Sequence, residues 1–321
     1  SMTAMKIKFD ANQQFQLDAI QAVVDVFDGQ PRAEGQFEIR LGGARSDQLM
    51  GLGVGNQLML DEQTILENVR CVQQRNGIPQ TEKLEGMNFS VEMETGTGKT
   101  YVYLRTIFEL NKQYGFKKFI IVVPSVAIRE GVQKSIEMTV DHFRNLYGNE
   151  PIDAWVYDSK QVSKLRQFGW SNQLQVLIIN IDAFNKPENN VIHNDSDRLS
   201  GHRPIEFIQA TNPIVILDEP QNMESEKAKA AIESLNPLCT LRYSATHRNV
   251  YNLLYRLDPV KAYDLRLVKR IEVDSVLEEP DFNKPYIHVK SIRATASKIT
   301  AKLEIEAVGF GSSSRGFDPD G

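Results

Sequence analysis

"VEMETGTGKT", residues 91–100, leads from strand-like residues through two closely spaced glycines into a lysine and a threonine. A glycine-rich turn between a strand and a helix N-terminus aims backbone N–H groups at a phosphate, and the helix dipole adds favourable potential. Thr95, Gly96, Thr97 and Gly98 are the expected cradle. Lys99 is then placed to reach the β and γ phosphates of ATP, and the Thr100 hydroxyl to hold magnesium. The competing reading is a plain glycine turn with a surface lysine, and the strand before and helix after argue against it.

Such a lysine needs a metal-positioning acid and a base for the attacking water. "PIVILDEPQ", residues 213–221, offers both at the end of an apolar strand. Asp218 is the candidate for magnesium, and Glu219 for polarising the nucleophilic water. "YSAT", residues 243–246, ends the next strand, and its Ser244 and Thr246 hydroxyls are candidates to couple to the loop that carries Asp218 and Glu219. Gln221 and His247 are candidates to sense the γ phosphate or nucleic acid. Gln16, in the first helix, has an amide able to pair with both edges of adenine, with Phe9 as a candidate to stack on the base.

The surrounding texture places these motifs. "NQQFQLDAIQAVVDVFDG" (12–29) and "DEQTILENVRCVQQRNG" (61–77) read as helices, the second capped by Asp61 and stopped at Gly77. Residues 29–60 read as an irregular insertion. Short apolar runs at 88–93, 118–124, 152–157, 174–181, 213–219 and 238–246 alternate with helical stretches at 98–113, 126–147 and 224–235. Near-continuous apolarity marks strands covered on both faces, so the fold class is α/β with a mostly parallel sheet flanked by helices. After about residue 265, "KRIEVDSV", "PYIHVKSIRA" and "KITAKLEIEA" read as antiparallel strands, and the glycine- and serine-rich 308–321 as a flexible tail.

The expected layout is therefore N-terminal helices and insertion at 1–87, an ATPase domain at 88–265, a small β-rich segment at 266–307 and the tail. Two cysteines far apart, Cys71 and Cys239, indicate neither a disulfide framework nor a zinc site, and a cytoplasmic setting is the default expectation. No apolar run approaches membrane-spanning length. A formal net charge of −5 argues against coating nucleic acid by bulk charge but permits a local groove.

With Met93 standing five residues before Gly98, where the full P-loop pattern has glycine, the loop matches the "x-x-T-G-x-G-K-T" form of helicase motif I. The series "FQLDAI", "METGTGKTYVYLRTIFELN", "FIIVVPSVAIREGV", "NIDAFNK", "NPIVILDEPQNME" and "YSATHR" resembles the helicase part of the Res subunit of type III restriction enzymes, in superfamily 2. "LYRLDPVKAYDLRLVKRIEV" continues the likeness, which runs from about residue 9 to about residue 275. The resemblance implies a RecA-like lobe whose ATP hydrolysis drives movement or switching along double-stranded DNA, beside a methylase-type (Mod) partner subunit. It also implies phosphate-backbone contacts at Pro124, Ser125 and Arg129 and at Asn180, Asp182 and Phe184.

Two elements that the resemblance implies do not appear in the sequence. No "Q-x-x-G-R-x-x-R" element follows Thr246 to supply clamping arginines. The nearest nuclease-like string, "PDFNKPYIHVK" (280–290), has His288 where an acid belongs and reads as a strand. The chain is expected to be the first lobe plus the opening of another module, binding ATP and magnesium but hydrolysing slowly alone. A different class of function stays open, a nucleotide-gated DNA-binding or subunit-docking module without turnover. A P-loop kinase or a transport ATPase would need a lid or an "LSGGQ"-like element, and neither is found.

Overall fold

The computed structural model describes residues 9–33, 54–94, 97–185, 192–194, 199, 201–257, 286–295 and 298–306. The chain divides into two units, residues 9–262 and the remainder. In the first, the order is α1 (Gln14–Val24), α2 (Glu62–Arg75), β1 (Asn88–Glu92), α3 (Lys99–Tyr114), β2 (Lys118–Val123), α4 (Val126–Tyr147), β3 (Ile152–Val156), α5 (Lys164–Trp170) and β4 (Leu174–Asn180). There follow α6 (Asp182–Asn185), α7 (Pro204–Gln209), β5 (Ile214–Asp218), α8 (Glu226–Glu233), β6 (Cys239–Ser244) and β7 (Tyr255–Arg256). The six strands read from the sequence are present, all parallel, in a seven-stranded sheet ordered β3-β4-β2-β5-β6-β1-β7. This is the expected α/β, RecA-like class of fold.

Strands β2, β4, β5 and β6 are buried almost throughout, as their unbroken apolar runs require. β3 is different. It is the edge of the sheet, with Ile152 38% exposed, so its apolar run does not mark a strand covered on both sides. α2 is capped as expected, the Asp61 carboxylate accepting from the Thr64 N–H at 2.8 Å. α1 tightens into a 3₁₀ turn at Asp25–Phe27 before Gly29 turns the chain. The short elements α5, α6, α7 and β7 have no counterpart in the sequence reading. Most of the insertion expected at 29–60, namely 34–53, lies outside the described residues.

One buried charge fixes the N-terminal edge of the sheet. Lys118, at the start of β2, is fully buried, and its ammonium donates to the carbonyls of Phe168, Gly169 (3.1 Å) and Ser171 (2.8 Å) at the end of α5. Burial pulls its pKa down to about 7. The three carbonyls satisfy every donor the ammonium has, which is how a lysine survives in a core.

The second unit contains β8 (Tyr286–Thr295) and β9 (Lys298–Glu306), an antiparallel pair with a register shift between Val289 and Ser291. His288 and the end of the nuclease-like string lie in β8, as a strand. "KRIEVDSV" and the proposed tail lie outside the described residues.

Candidate functional site

In a parallel α/β sheet, ligands bind beyond the carboxyl ends of the strands. The sequence candidates collect there in two groups. β1 and β5 both flank β6, so the loop leaving β1 and the acids ending β5 stand two strands apart, with the Ser244 end of β6 between them.

Gly98 takes a left-handed conformation (φ 86°) as the residue capping α3, a geometry glycine adopts without steric penalty. No side chain caps that helix, so its first N–H groups remain available to an anion. Thr97 is fully buried and folds its loop back, its hydroxyl donating to the Glu94 carbonyl at 2.6 Å. Thr95 and Gly96 lie outside the described residues. Gln16 is buried rather than exposed on its helix, and its amide donates to the Thr97 carbonyl at 3.2 Å, tying α1 to the loop. Phe9 stacks on Tyr101, with ring centroids 5.7 Å apart.

Lys99 is the centre of the group. Its ammonium lies 2.8 Å from Asp218 Oδ1 and donates to Glu219 Oε1, an ion-pair triad with little exposure. Glu219 Oε2 in turn accepts from Gln221 (2.5 Å) and from the Ser244 hydroxyl (3.2 Å), and Ser244 also bonds Gln221 at 2.8 Å. The Thr246 N–H donates back to the Ser244 hydroxyl at 3.0 Å. Burial alone would raise Glu219, but hydrogen bonds from Lys99, Gln221 and Ser244 together hold its carboxyl below the usual range. Glu219 is also in a left-handed conformation (φ 58°). The other non-glycine residues with positive φ among those described are asparagines, which tolerate it, so the acid stands in a strained turn.

His247 does not join this network. Its Nε2 faces the Val91 carbonyl at 3.2 Å and its Nδ1 is buried without a hydrogen-bond partner. Burial holds its pKa below the ordinary histidine value.

The residues fit an ATP–magnesium group. Asp218 Oδ1 is buried, faces the Lys99 charge at 2.8 Å and has no hydrogen-bond partner, so it is an acceptor still open to a cation. Among the described residues no cluster of three or more His, Cys, Asp or Glu forms a ready-made cage. That suits magnesium, which usually takes one or two side chains and completes its shell with phosphate and water.

A family profile described as "Type III restriction enzyme, res subunit" matches residues 56–249. The chain belongs to the type III restriction enzyme Res subunit family. It is 32% identical over 288 residues to the EcoPI Res subunit of Escherichia phage P1, covering 82% of this chain and 28% of that protein. It is also 32% identical over 238 residues to the EcoP15I Res subunit of Escherichia coli, covering 67% and 24%. The chain thus spans about a quarter of the length of these Res relatives. Among solved structures, the UvsW helicase of bacteriophage T4 overlaps 72% of this chain and 67% of its own at 13% identity, with a TM-score of 0.35.

The remaining candidates for this Res chain sit at the ends of β2 and β4, which are neighbours. Pro124 follows β2. Ser125 caps α4, its hydroxyl accepting from the Ile128 N–H at 3.3 Å. Arg129 lies in the first turns of α4, half-buried, with Nε lacking a hydrogen-bond partner. Asn180 ends β4 and accepts from the Asp182 N–H at 3.1 Å, while Phe184 is in α6. One residue that the sequence reading passed over touches the nucleotide group. The Tyr103 hydroxyl donates to Asp218 Oδ2 at 2.8 Å. Two tyrosines at even spacing after the lysine, in "KTYVY", were the available signal, but tyrosine in a helix reads first as core.

Among the described residues, no helix is long and apolar enough to cross a membrane.

Proposed function

We propose that this chain is the ATP-binding first lobe of a superfamily 2 DNA translocase or helicase, acting with ATP and magnesium in the restriction subunit of a type III system. The observation that carries the reading is the Lys99–Asp218–Glu219 triad, in which a helix N-terminus and the tip of β5 meet across β6. In this reading residues 88–265 are the lobe, double-stranded DNA and a methylase-type subunit are its partners, and the setting is cytoplasmic.

The side chains divide the work as follows. Lys99 is the cation that meets the phosphates, and when it does, its two carboxylate partners are released for their own tasks. Asp218 and the Thr100 hydroxyl would hold magnesium, whose charge neutralises the transferring phosphoryl group. Glu219 orients the attacking water and accepts its proton, and its hydrogen bonds from Gln221 and Ser244 keep it ionised until then. Ser244, bonded to both Glu219 and Gln221 and linked to the backbone of Thr246, is the point through which β6 would report the state of the acid. Gln16, which anchors α1 on the phosphate loop, is the proposed adenine-selecting residue. Pro124, Ser125, Arg129, Asn180, Asp182 and Phe184 are the proposed backbone contacts to DNA. The resemblance implies a clamp of arginines in a "Q-x-x-G-R-x-x-R" element that is not found after Thr246, and slow turnover by these residues alone is part of the proposal.

A binding measurement with a fluorescent nonhydrolysable ATP analogue, with and without magnesium, tests the reading beside a phosphate-release assay with duplex DNA. Magnesium-dependent binding with slow release is expected. Absence of such binding overturns the nucleotide reading. Brisk DNA-stimulated release that Lys99→Ala abolishes overturns the claim that this chain turns over slowly alone.

A further inference from the structure

Asp218 has two oxygens, and the structure gives them different neighbours. Oδ2 accepts from the Tyr103 hydroxyl at 2.8 Å, and Oδ1 faces Lys99 at 2.8 Å. Tyr103 follows Lys99 by four residues on α3, one helical turn deeper, so both side chains leave the same face of the helix toward the end of β5. The Tyr103 ring is fully buried and packs against Tyr243 on β6, with centroids 5.5 Å apart at 60°. One buried side chain therefore bonds an acid assigned to magnesium. A phenylalanine would fill this space equally well, so the hydroxyl itself needs a role.

We propose that Tyr103 is a positioning residue for the magnesium site: its hydroxyl takes one oxygen of Asp218, fixes the carboxylate plane, and leaves the other oxygen to face the metal. The inference rests on the ATP–magnesium reading above. Outer hydrogen-bond partners of a ligand set its orientation, and their loss typically weakens metal binding by about 10- to 100-fold. Tyr103 shares α3 with Thr100 and bonds Asp218, so it ties the helix of one ligand to the strand of the other, more than 100 residues apart in the chain.

The test is a magnesium titration of fluorescent ATP-analogue binding, in the chain as it stands, for Tyr103→Phe and for Tyr243→Phe as a control. Tyr243 shares the aromatic contact but has no hydrogen bond to Asp218. For Tyr103→Phe the magnesium midpoint should rise about 10-fold, with analogue affinity in the absence of magnesium and the unliganded melting temperature retained. For Tyr243→Phe the midpoint should stay at the wild-type value. An unchanged midpoint in Tyr103→Phe, with wild-type binding still magnesium-dependent, overturns the proposal and leaves the nucleotide reading intact. A Tyr103→Phe chain that no longer melts cooperatively also overturns it, because the hydroxyl would then be structural. Wild-type binding indifferent to magnesium removes the nucleotide reading, and this proposal with it.

Discussion

The two halves of the sheet's carboxyl edge are built differently. Around β1, β5 and β6, side chains bond across long stretches of chain: Gln16 to Thr97, Lys99 to Glu219, Tyr103 to Asp218, Ser244 to Glu219. Around β2 and β4 the candidates bond close by in sequence, Ser125 to Ile128 and Asn180 to Asp182. Long-range bonds exist only once the fold is complete, so the first half is held in one geometry by the whole sheet. Local caps and turns fix only their own loop. On the proposed reading, the first half suits a small ligand of defined shape and the second the adaptable backbone contacts of a polymer.

That contrast can be broken by substitution. Lys99→Ala should have the largest effect, lowering phosphate release by about 1000-fold, since it removes the cation and leaves two carboxylates facing each other. Analogue binding within a few fold of wild type would show that the triad does not seat the nucleotide. Glu219→Gln should lower turnover by about 100-fold while retaining analogue binding, because the base is lost and the cation kept. Equal loss of both would merge the two roles assigned here. Ser244→Ala removes one donor from a half-buried network, worth about 1 kcal/mol or roughly fivefold in turnover, with DNA affinity unchanged. Arg129→Ala should do the reverse. Nucleotide binding should hold while duplex affinity falls a few fold and the salt dependence of log Kd loses close to one unit of slope. A fall in nucleotide binding there would erase the division between the halves.

The smallest expected effect concerns His247. Its folded pKa is depressed by burial, so the unfolded chain takes up the proton first as pH falls. The stability this neutral imidazole contributes is present above the ordinary histidine range and is lost as pH drops through the folded value. Melting temperature should therefore decline from pH 7 toward pH 5, and His247→Gln should flatten that decline.

The positions of the candidate site residues are legible because their motifs are local words. "GTGKT", "DEPQ" and "YSAT" each announce a turn at a strand end, and parallel-sheet logic brings such ends to one edge. Which residues meet was not legible. The amide of Gln16 could face water or the loop, and only the packing of α1 decides. Tyr103 is core, as a tyrosine inside a helix suggests, but its hydroxyl reaches an acid more than 100 positions away. Lys118 opens an apolar strand and reads as a solvated start, whereas the end of α5 closes over it with three carbonyls. β3 reads as a buried strand because apolarity alone cannot tell an edge from a centre. The short elements α5, α6, α7 and β7 carry too few residues for any period to register.

The left-handed turn at Glu219 has an evolutionary consequence. Glycine would occupy that backbone shape with less strain, by about 1 kcal/mol or more, yet would bring no carboxylate. At this position the pull toward an easier fold and the pull toward a working acid run in opposite directions. A lineage freed from hydrolysing nucleotide would be expected to drift first at residue 219, toward glycine or asparagine, while Lys118 and the apolar strands stayed as they are.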